Sequence, residues 1–239
     1  MSPSELSFSL PGTGNALFTA RAQGNLSSVS GEGAHQGGPA RERLREHIGV
    51  RRLVRGYQVH GSVIELVGGP VDVPPNPPRA QPAVPDTAVP AVEADGQATV
   101  VGGVGLMVLA ADCLPVLLGA PGAVVALHAG WRGLLAGIIE QGVRVLAQAT
   151  GAADAVAIIG PGAGACCYEV SEEVHASFGE IHRDGARIDL KAIARERLLA
   201  SGVAEVRDLG LCTICDERFF SHRREGERAG RQAGVAWLS

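Results

Sequence analysis

Between residues 104 and 151 the chain reads as strand, strand, glycine turn and helix in quick succession, a pattern that commits it to sheets covered by helices. VGLMVLAADCLPVLLG (104–119) and VVALH (124–128) are apolar runs of the kind that buried strands use. AGWRG then supplies a turn, and Leu134, Leu135, Ile138, Ile139 and Leu146 recur at helical spacing before Gly151 closes the helix. AVAII (155–159) begins a further strand, and RERLREHIG (41–49) is a helix ending on a glycine. The sequence therefore predicts a mixed α/β (α+β) fold, a single compact domain over residues 1–239 with mixed β-sheets flanked by helices. Eight of the 14 prolines fall between residues 70 and 90. Proline fixes φ and removes an amide donor, so this stretch is a surface loop or insertion.

A net charge of −4 and a pI near 6.0 give no electrostatic reason for a nucleic-acid partner. The short basic runs RRLVR (51–55) and SHRREGER (221–228) read as solvated edges. Aromatic residues make up only 4% of the chain, which argues against base-stacking platforms. Five cysteines is an odd number in a chain long enough to build a core without disulfides, so reduced thiols are expected. No apolar run reaches the roughly 18 residues of a membrane helix, and MSPSELSFSLPG lacks the basic start and apolar middle of a signal peptide. A cytoplasmic location with no membrane partner is expected.

His60, Cys113 and His128 stand beside turn residues (Gly61, Pro115 and Gly130) at expected strand ends. Two imidazoles and a thiolate fill three positions of a tetrahedral zinc ion and leave the fourth open to water or substrate. The separations, 113 − 60 = 53 and 128 − 113 = 15, match no compact zinc motif. Arg132 lies near the expected helix start, where a planar guanidinium and unpaired backbone amides suit phosphate or carboxylate. Asp112 sits inside an apolar run, so its carboxylate needs a partner such as an arginine or a metal-bound water. Neighbours in a strand point to opposite faces, so Asp112 and Cys113 serve one site only if the chain turns there, and Pro115 is consistent with an irregularity or strand end at this point. With Cys113 and His128, Asp112 forms the candidate catalytic set, as proton carrier or as orienting group.

The loop IIGPGAGACCYEVSEEV (158–174) follows a strand and carries three glycines, so backbone amides can approach a ligand closely, although it matches no phosphate-loop pattern. It reads as a pocket wall, with Gly130, Gly164 and Cys167 as candidate substrate contacts beside Arg132. Cys166 and Cys167 are adjacent, a poor geometry for an ordinary disulfide. CTICD (212–216) contains a CxxC, yet no second CxxC or histidine pair lies near it in sequence, and these cysteines read as packing residues.

QVHG (58–61), ADGQAT (94–99), AADCLPVLL (110–118), HAGWRG (128–133), GPGAGACCYEV (160–170), CTICDERFFSHRREG (212–226) and AGRQAGVAWL (229–238) resemble, in order, the YfiH-like family. Its members have been labelled polyphenol oxidase or laccase-domain proteins, and also purine nucleoside phosphorylases with adenosine deaminase and methylthioadenosine phosphorylase activity. The resemblance implies a zinc site formed by His60, Cys113 and His128, and a nucleoside and phosphate as small-molecule partners. The sequence departs from the family where Asn25-Leu26 leads into SSVSGEGAHQGG, and where Tyr57 stands in place of an arginine before QVHG. Copper is an alternative metal, with weak phenol oxidation as the alternative activity. A four-copper oxidase, however, needs paired His-x-His motifs, and the seven histidines here include none. Two further readings are a metal-free cysteine hydrolase or amidase acting on peptidoglycan precursors, with Cys113 as nucleophile and His128 as base, and a non-enzymatic ligand-binding protein.

Overall fold

The computed structural model describes residues 6–68, 92–151 and 154–239; the proline-rich stretch at 70–90 lies outside them. In chain order the elements begin β1 (Leu6–Ser9), β2 (Gly14–Phe18), α1 (Gly37–Ile48), β3 (Arg52–Val54), β4 (Ile64–Leu66), β5 (Gly96–Thr99), β6 (Val104–Ala110), β7 (Leu114–Ala120) and β8 (Ala123–Ala129). They continue α2 (Trp131–Leu135), α3 (Ile138–Thr150), β9 (Val156–Ile159), α4 (Glu172–Ser177), β10 (Arg183–Asp184), β11 (Arg187–Ile188), α5 (Leu190–Ala200), β12 (Glu205–Asp208), α6 (His222–Glu225) and β13 (Gln232–Leu238).

Two mixed sheets carry the architecture. One has the order β1-β2-β13-β6-β3, the other β12-β9-β7-β8-β5-β4, and β10 with β11 forms a separate hairpin. Side chains alternate across β8: Val124 and Ala126 pack against Leu106, Val108 and Phe18 of the other sheet, whereas Val125 and Leu127 pack with Ile138, Ile139 and Leu146 of α3. Because both faces are covered, the central strands are apolar at nearly every position. α1 covers the outer face of the five-stranded sheet through Ala40 and Leu44, against Leu17, Met107 and Val235. Each of these buried leucine, valine and methionine side chains contributes about 1.5–3 kcal/mol.

The helix expected after AGWRG is two helices. Gly137, at φ 85°, closes α2 and starts α3 in a new direction, leaving Leu135 exposed while Leu134, Ile138, Ile139 and Leu146 are buried. Gly49 and Gly151 end α1 and α3 in the left-handed conformation, as the sequence predicts. The chain passes from one sheet to the other at Ala111–Cys113, between β6 and β7, and the site is built at this crossing. No helix among the described residues is long and apolar enough to cross a membrane.

Candidate metal centre and substrate cavity

Strand register brings Cys113 to His128. β7 and β8 form an antiparallel hairpin in which Pro115 pairs with His128 and Leu114 with Ala129, so Cys113, just before β7, stands beside the end of β8. The 15-residue separation is the span of this hairpin, whose turn at Pro121-Gly122 is the sequence signal that accounts for it. β5 pairs with the other edge of β8, Gly96 opposite Leu127, which places Asp95 beside His128. His60 comes from the loop between β3 and β4. The ligand atoms of His60, Cys113 and His128 lie within 4.8 Å of one another, and the two imidazole rings meet edge to face with centroids 4.9 Å apart.

Two residues outside the expected site set shape this cluster. Asp95 is fully buried, and its carboxylate accepts hydrogen bonds from the amides of Val59 (3.0 Å), His60 (2.9 Å) and Gly61 (2.7 Å) and from His128 Nδ1 (2.7 Å). One carboxylate thus fixes the His60 loop and orients the His128 ring so that Nε2 is turned to the cluster, the arrangement by which carboxylates position metal-binding imidazoles. Burial, the largest influence on Asp95, favours the neutral acid, but the bonds from His128, Gly61 and Val59 together hold it below the usual carboxylate range. Gln58 pins the same loop to β6: its Nε2 donates to the Leu109 carbonyl (2.7 Å) and its Oε1 accepts from the Leu109 amide (2.8 Å). His60 sits at φ 63°, an uncommon conformation for a residue with a side chain, which these bonds maintain.

Burial favours the neutral forms of Cys113 and His128 and is the largest influence on each. The charges they present to each other outweigh it, helped by Asp95 behind the imidazole and His60 beside the thiol. The Cys113 thiol is therefore held below its ordinary range and the His128 imidazole above its own. A soft cation stabilises the same thiolate and replaces the proton between the two groups. The residues present thus fit a metal ion. Gly130 leaves the room: a Cβ there would lie 2.8 Å from Cys113 Sγ and 3.3 Å from His60 Cδ2. Gly130→Ala is expected to lower metal affinity by at least about 10-fold, comparable to losing an orienting partner, and, because the methyl presses on Cys113 Sγ with or without an ion, to lower the melting temperature of the metal-free protein as well. Competition with a chromophoric chelator measures the affinity.

The cluster opens into a cavity of about 540 Å³, within the roughly 300–1,000 Å³ usual for small-molecule sites. Arg55, Arg132, Arg223 and Arg231 line it, as do Tyr57, Trp131 and Tyr168. Both tyrosines of the chain and one of its two tryptophans therefore face one cavity in a protein with few aromatic residues. Arg132 stacks on Trp131 (4.2 Å from the guanidinium carbon to the ring centroid) and Arg223 on Tyr168 (4.8 Å). Arg55, from RRLVR, and His222 and Arg223, from SHRREGER, turn out to line the cavity, so these runs are more than solvated edges. Only the fold reveals this, because it wraps both segments around one depression. Burial depresses the guanidinium pKa of Arg55 and of Arg231, and the negative groups Cys113 and Asp112 partly offset this for Arg231. The segment after Asn25, where the sequence departs from the family pattern, also contributes, through Ser27, Val29 and Ser30. Asn25 shapes it by donating to the Ser30 and Glu32 carbonyls and accepting from the Ser27 and Arg231 amides.

Asp112 also faces the cavity. The chain turns there at φ 89°, the turn needed for Asp112 and Cys113 to serve one site. Among the described residues its carboxylate is held by a hydroxyl and a backbone amide rather than by an arginine side chain. Thr213 Oγ1 and the Arg223 amide donate to it, both at 2.7 Å, which ties the β6–β7 turn to the C-terminal segment. Arg132 and Gly130 lie at the cavity, but α2 has only five residues, too few for a substantial helix dipole. Gly164 and Cys167 lie elsewhere, beside a second cluster. Cys166, Cys167, Cys212 and Cys215 bring their sulfurs within 4.8 Å of one another, so the CxxC does acquire two partners, and these cysteines are more than packing residues. The pairing was hidden because the two cysteine pairs are brought together by a long-range parallel strand pairing, β9 with β12.

Where the chain crosses between the two packed sheets, a His-Cys-His cluster that could hold a metal ion opens into an arginine-lined cavity. The family described as multi-copper polyphenol oxidoreductase laccase matches residues 12–239. The chain belongs to this laccase-domain family, which includes the YfiH-like proteins. A Xylella fastidiosa relative named purine nucleoside phosphorylase is 36% identical, over 95% of this chain and 88% of its own. A Streptomyces griseus relative named purine nucleoside phosphorylase ORF3 is 34% identical, over 90% of this chain and 86% of its own. Among solved structures, YlmD from Geobacillus stearothermophilus shares 30% identity with a TM-score of 0.77, covering 95% of this chain and 92% of its own. The Neisseria meningitidis protein NMB0706 shares 26% identity with a TM-score of 0.79, covering 99% of both chains.

Proposed function

We propose that this protein is a zinc-dependent purine nucleoside phosphorylase that also deaminates adenosine and accepts methylthioadenosine. The observation that carries the reading is the convergence of four arginines and three aromatic rings on the cavity that holds His60, Cys113 and His128. Guanidinium groups suit phosphate, aromatic faces suit a purine, and relatives spanning nearly the whole chain are named purine nucleoside phosphorylase.

His60, Cys113 and His128 would hold the zinc. When bound, the ion supplies Lewis acidity at its open coordination position. In phosphorolysis a phosphate oxygen bonds to the anomeric carbon of ribose as the bond from that carbon to the purine nitrogen breaks. The electron pair leaves with the base, which takes up a proton. Arg132 is assigned to the phosphate, with Arg55, Arg223 and Arg231 supplying further positive charge, and Gly130 leaves space beside the ligands. Asp112 is assigned the orienting role, since its carboxylate already fixes the Arg223 backbone and the turn that carries Cys113. In this reading Gly164 and Cys167 support the cavity wall from behind.

A thiolate paired with an imidazole is also what a cysteine hydrolase uses. Zinc in stoichiometric amount, lost in His60→Ala, would occupy that thiolate and exclude a free nucleophile. The phosphate assignment is tested by steady-state phosphorolysis with phosphate varied. Arg132→Ala should raise the KM for phosphate about 10- to 100-fold, as loss of a charge-assisted hydrogen bond does, with zinc content unchanged. An unchanged KM would remove Arg132 from the phosphate site. Formation of inosine from adenosine without phosphate tests the deaminase activity.

A further inference from the structure

We propose that Cys166, Cys167, Cys212 and Cys215 bind a structural zinc ion, a second metal site separate from His60, Cys113 and His128. The fold assembles this site through one strand pairing. β9 and β12 run parallel with Ile159 opposite Asp208, so the loops that follow leave the sheet side by side. Backbone hydrogen bonds on either side of Cys212 lace them together: Gly162 donates to the Leu211 carbonyl (3.2 Å) and Thr213 to the Gly162 carbonyl (3.0 Å). The four sulfurs lie within 4.8 Å of one another, with Cys215 Sγ 3.2 Å from Cys166 Sγ and 2.6 Å from Cys167 Sγ. An ion bonded at about 2.3 Å to each would hold all four, with Cys167 and Cys215 moved apart to roughly 3.8 Å.

Three features favour a metal over four idle thiols. The Gly164 amide donates to Cys212 Sγ at 3.2 Å, and the Ile214 and Cys215 amides are directed at the same sulfur, the wrapping by which a CxxC loop stabilises a thiolate ligand. Gly164 also makes room, since a Cβ there would stand 3.3 Å from Cys212 Sγ and 3.4 Å from Cys166 Sγ. Cys166 and Cys215 are exposed, which gives an ion a path in. An all-thiolate tetrahedral set selects zinc or iron among common metals, and a redox-inert ion suits a site whose place in the fold is that of a brace.

The brace bears on the cavity. Thr213 lies between Cys212 and Cys215 and donates to Asp112, and the Ala163 amide donates to the Asp112 carbonyl (2.8 Å). An ion joining the two loops would therefore stiffen the wall that holds the turn carrying Cys113.

Elemental analysis of protein purified under reducing conditions tests the proposal. The Cys212→Ser/Cys215→Ser double variant should hold one zinc fewer per chain than wild type, whereas His60→Ala should leave this second zinc in place. If the His60 set binds no metal, wild type carries only the four-thiolate zinc and the double variant none, so failure of the catalytic assignment is distinguishable from failure of this one. A second measurement uses wild type alone: Cys166, Cys167, Cys212 and Cys215, identified by mass spectrometry, should resist alkylation until a chelator is added, although Cys166 and Cys215 are exposed; Cys113, in the other site, is not counted. Unchanged zinc in a folded double variant, alkylation unaffected by chelator, iron in place of zinc, or a disulfide linking Cys167 to Cys215 in the reduced preparation would overturn it.

Discussion

Cys113→Ser should abolish metal binding at the His60 site and nucleoside phosphorolysis together, with the fold intact. Serine nearly matches cysteine in size, and Cys113 sits in a turn at the start of β7, so the packing of Leu114, Val116 and Leu118 is undisturbed. Its hydroxyl keeps its proton at neutral pH and offers zinc no anionic donor, leaving two imidazoles where three ligands stood. Affinity should therefore fall by more than the roughly 10- to 100-fold typical of losing an orienting partner, and activity should follow. Zinc titration monitored by calorimetry, with circular dichroism to verify the fold, is the measurement. Full zinc affinity in the serine variant would remove Cys113 from the ligand set.

Asp95→Asn should weaken zinc binding about 10- to 100-fold and lower folding stability by about 1–3 kcal/mol. The carboxylate serves three backbone amides and His128 Nδ1 at once; an amide side chain has one oxygen and turns its NH₂ toward groups that are themselves donors. The sign of the pH dependence follows from the same contacts. The folded-state pKa of Asp95 lies below its unfolded value, so its contribution is fully present above about pH 4 and is lost as pH falls through the depressed folded value. In the asparagine variant this part of the acid sensitivity should disappear, which urea midpoints measured across acidic pH would show. Equal zinc affinity in the variant and wild type would mean that His128 is oriented by something other than Asp95.

The parts of this molecule legible in its sequence are those set by local pattern. The strand, glycine turn and helix around His128 follow from apolar spacing, and the three ligands could be chosen because donor atoms at strand ends are chemically conspicuous. What escaped depends on register. Asp95 precedes a short strand and looks like an ordinary turn aspartate until β5 is placed beside β8. Arg55 and Arg231 are separated by most of the chain and meet only at the cavity. The four-cysteine cluster required knowing that β9 and β12 are parallel neighbours, since a CxxC and an adjacent cysteine pair form no recognised spacing. The apolar spacing of Leu134, Ile138, Ile139 and Leu146 runs on through Gly137, whose left-handed conformation divides the helix without interrupting the pattern.

The central claim, that the His60, Cys113 and His128 site performs phosphorolysis, is tested most directly by phosphorus NMR of zinc-loaded protein with adenosine and inorganic phosphate. A ribose 1-phosphate signal should grow in equal amount with free purine base, and His60→Ala should abolish it. Zinc-loaded, folded wild-type protein that yields no ribose 1-phosphate would rule out phosphorolysis, and a His60→Ala variant that forms it at the wild-type rate would rule out this site.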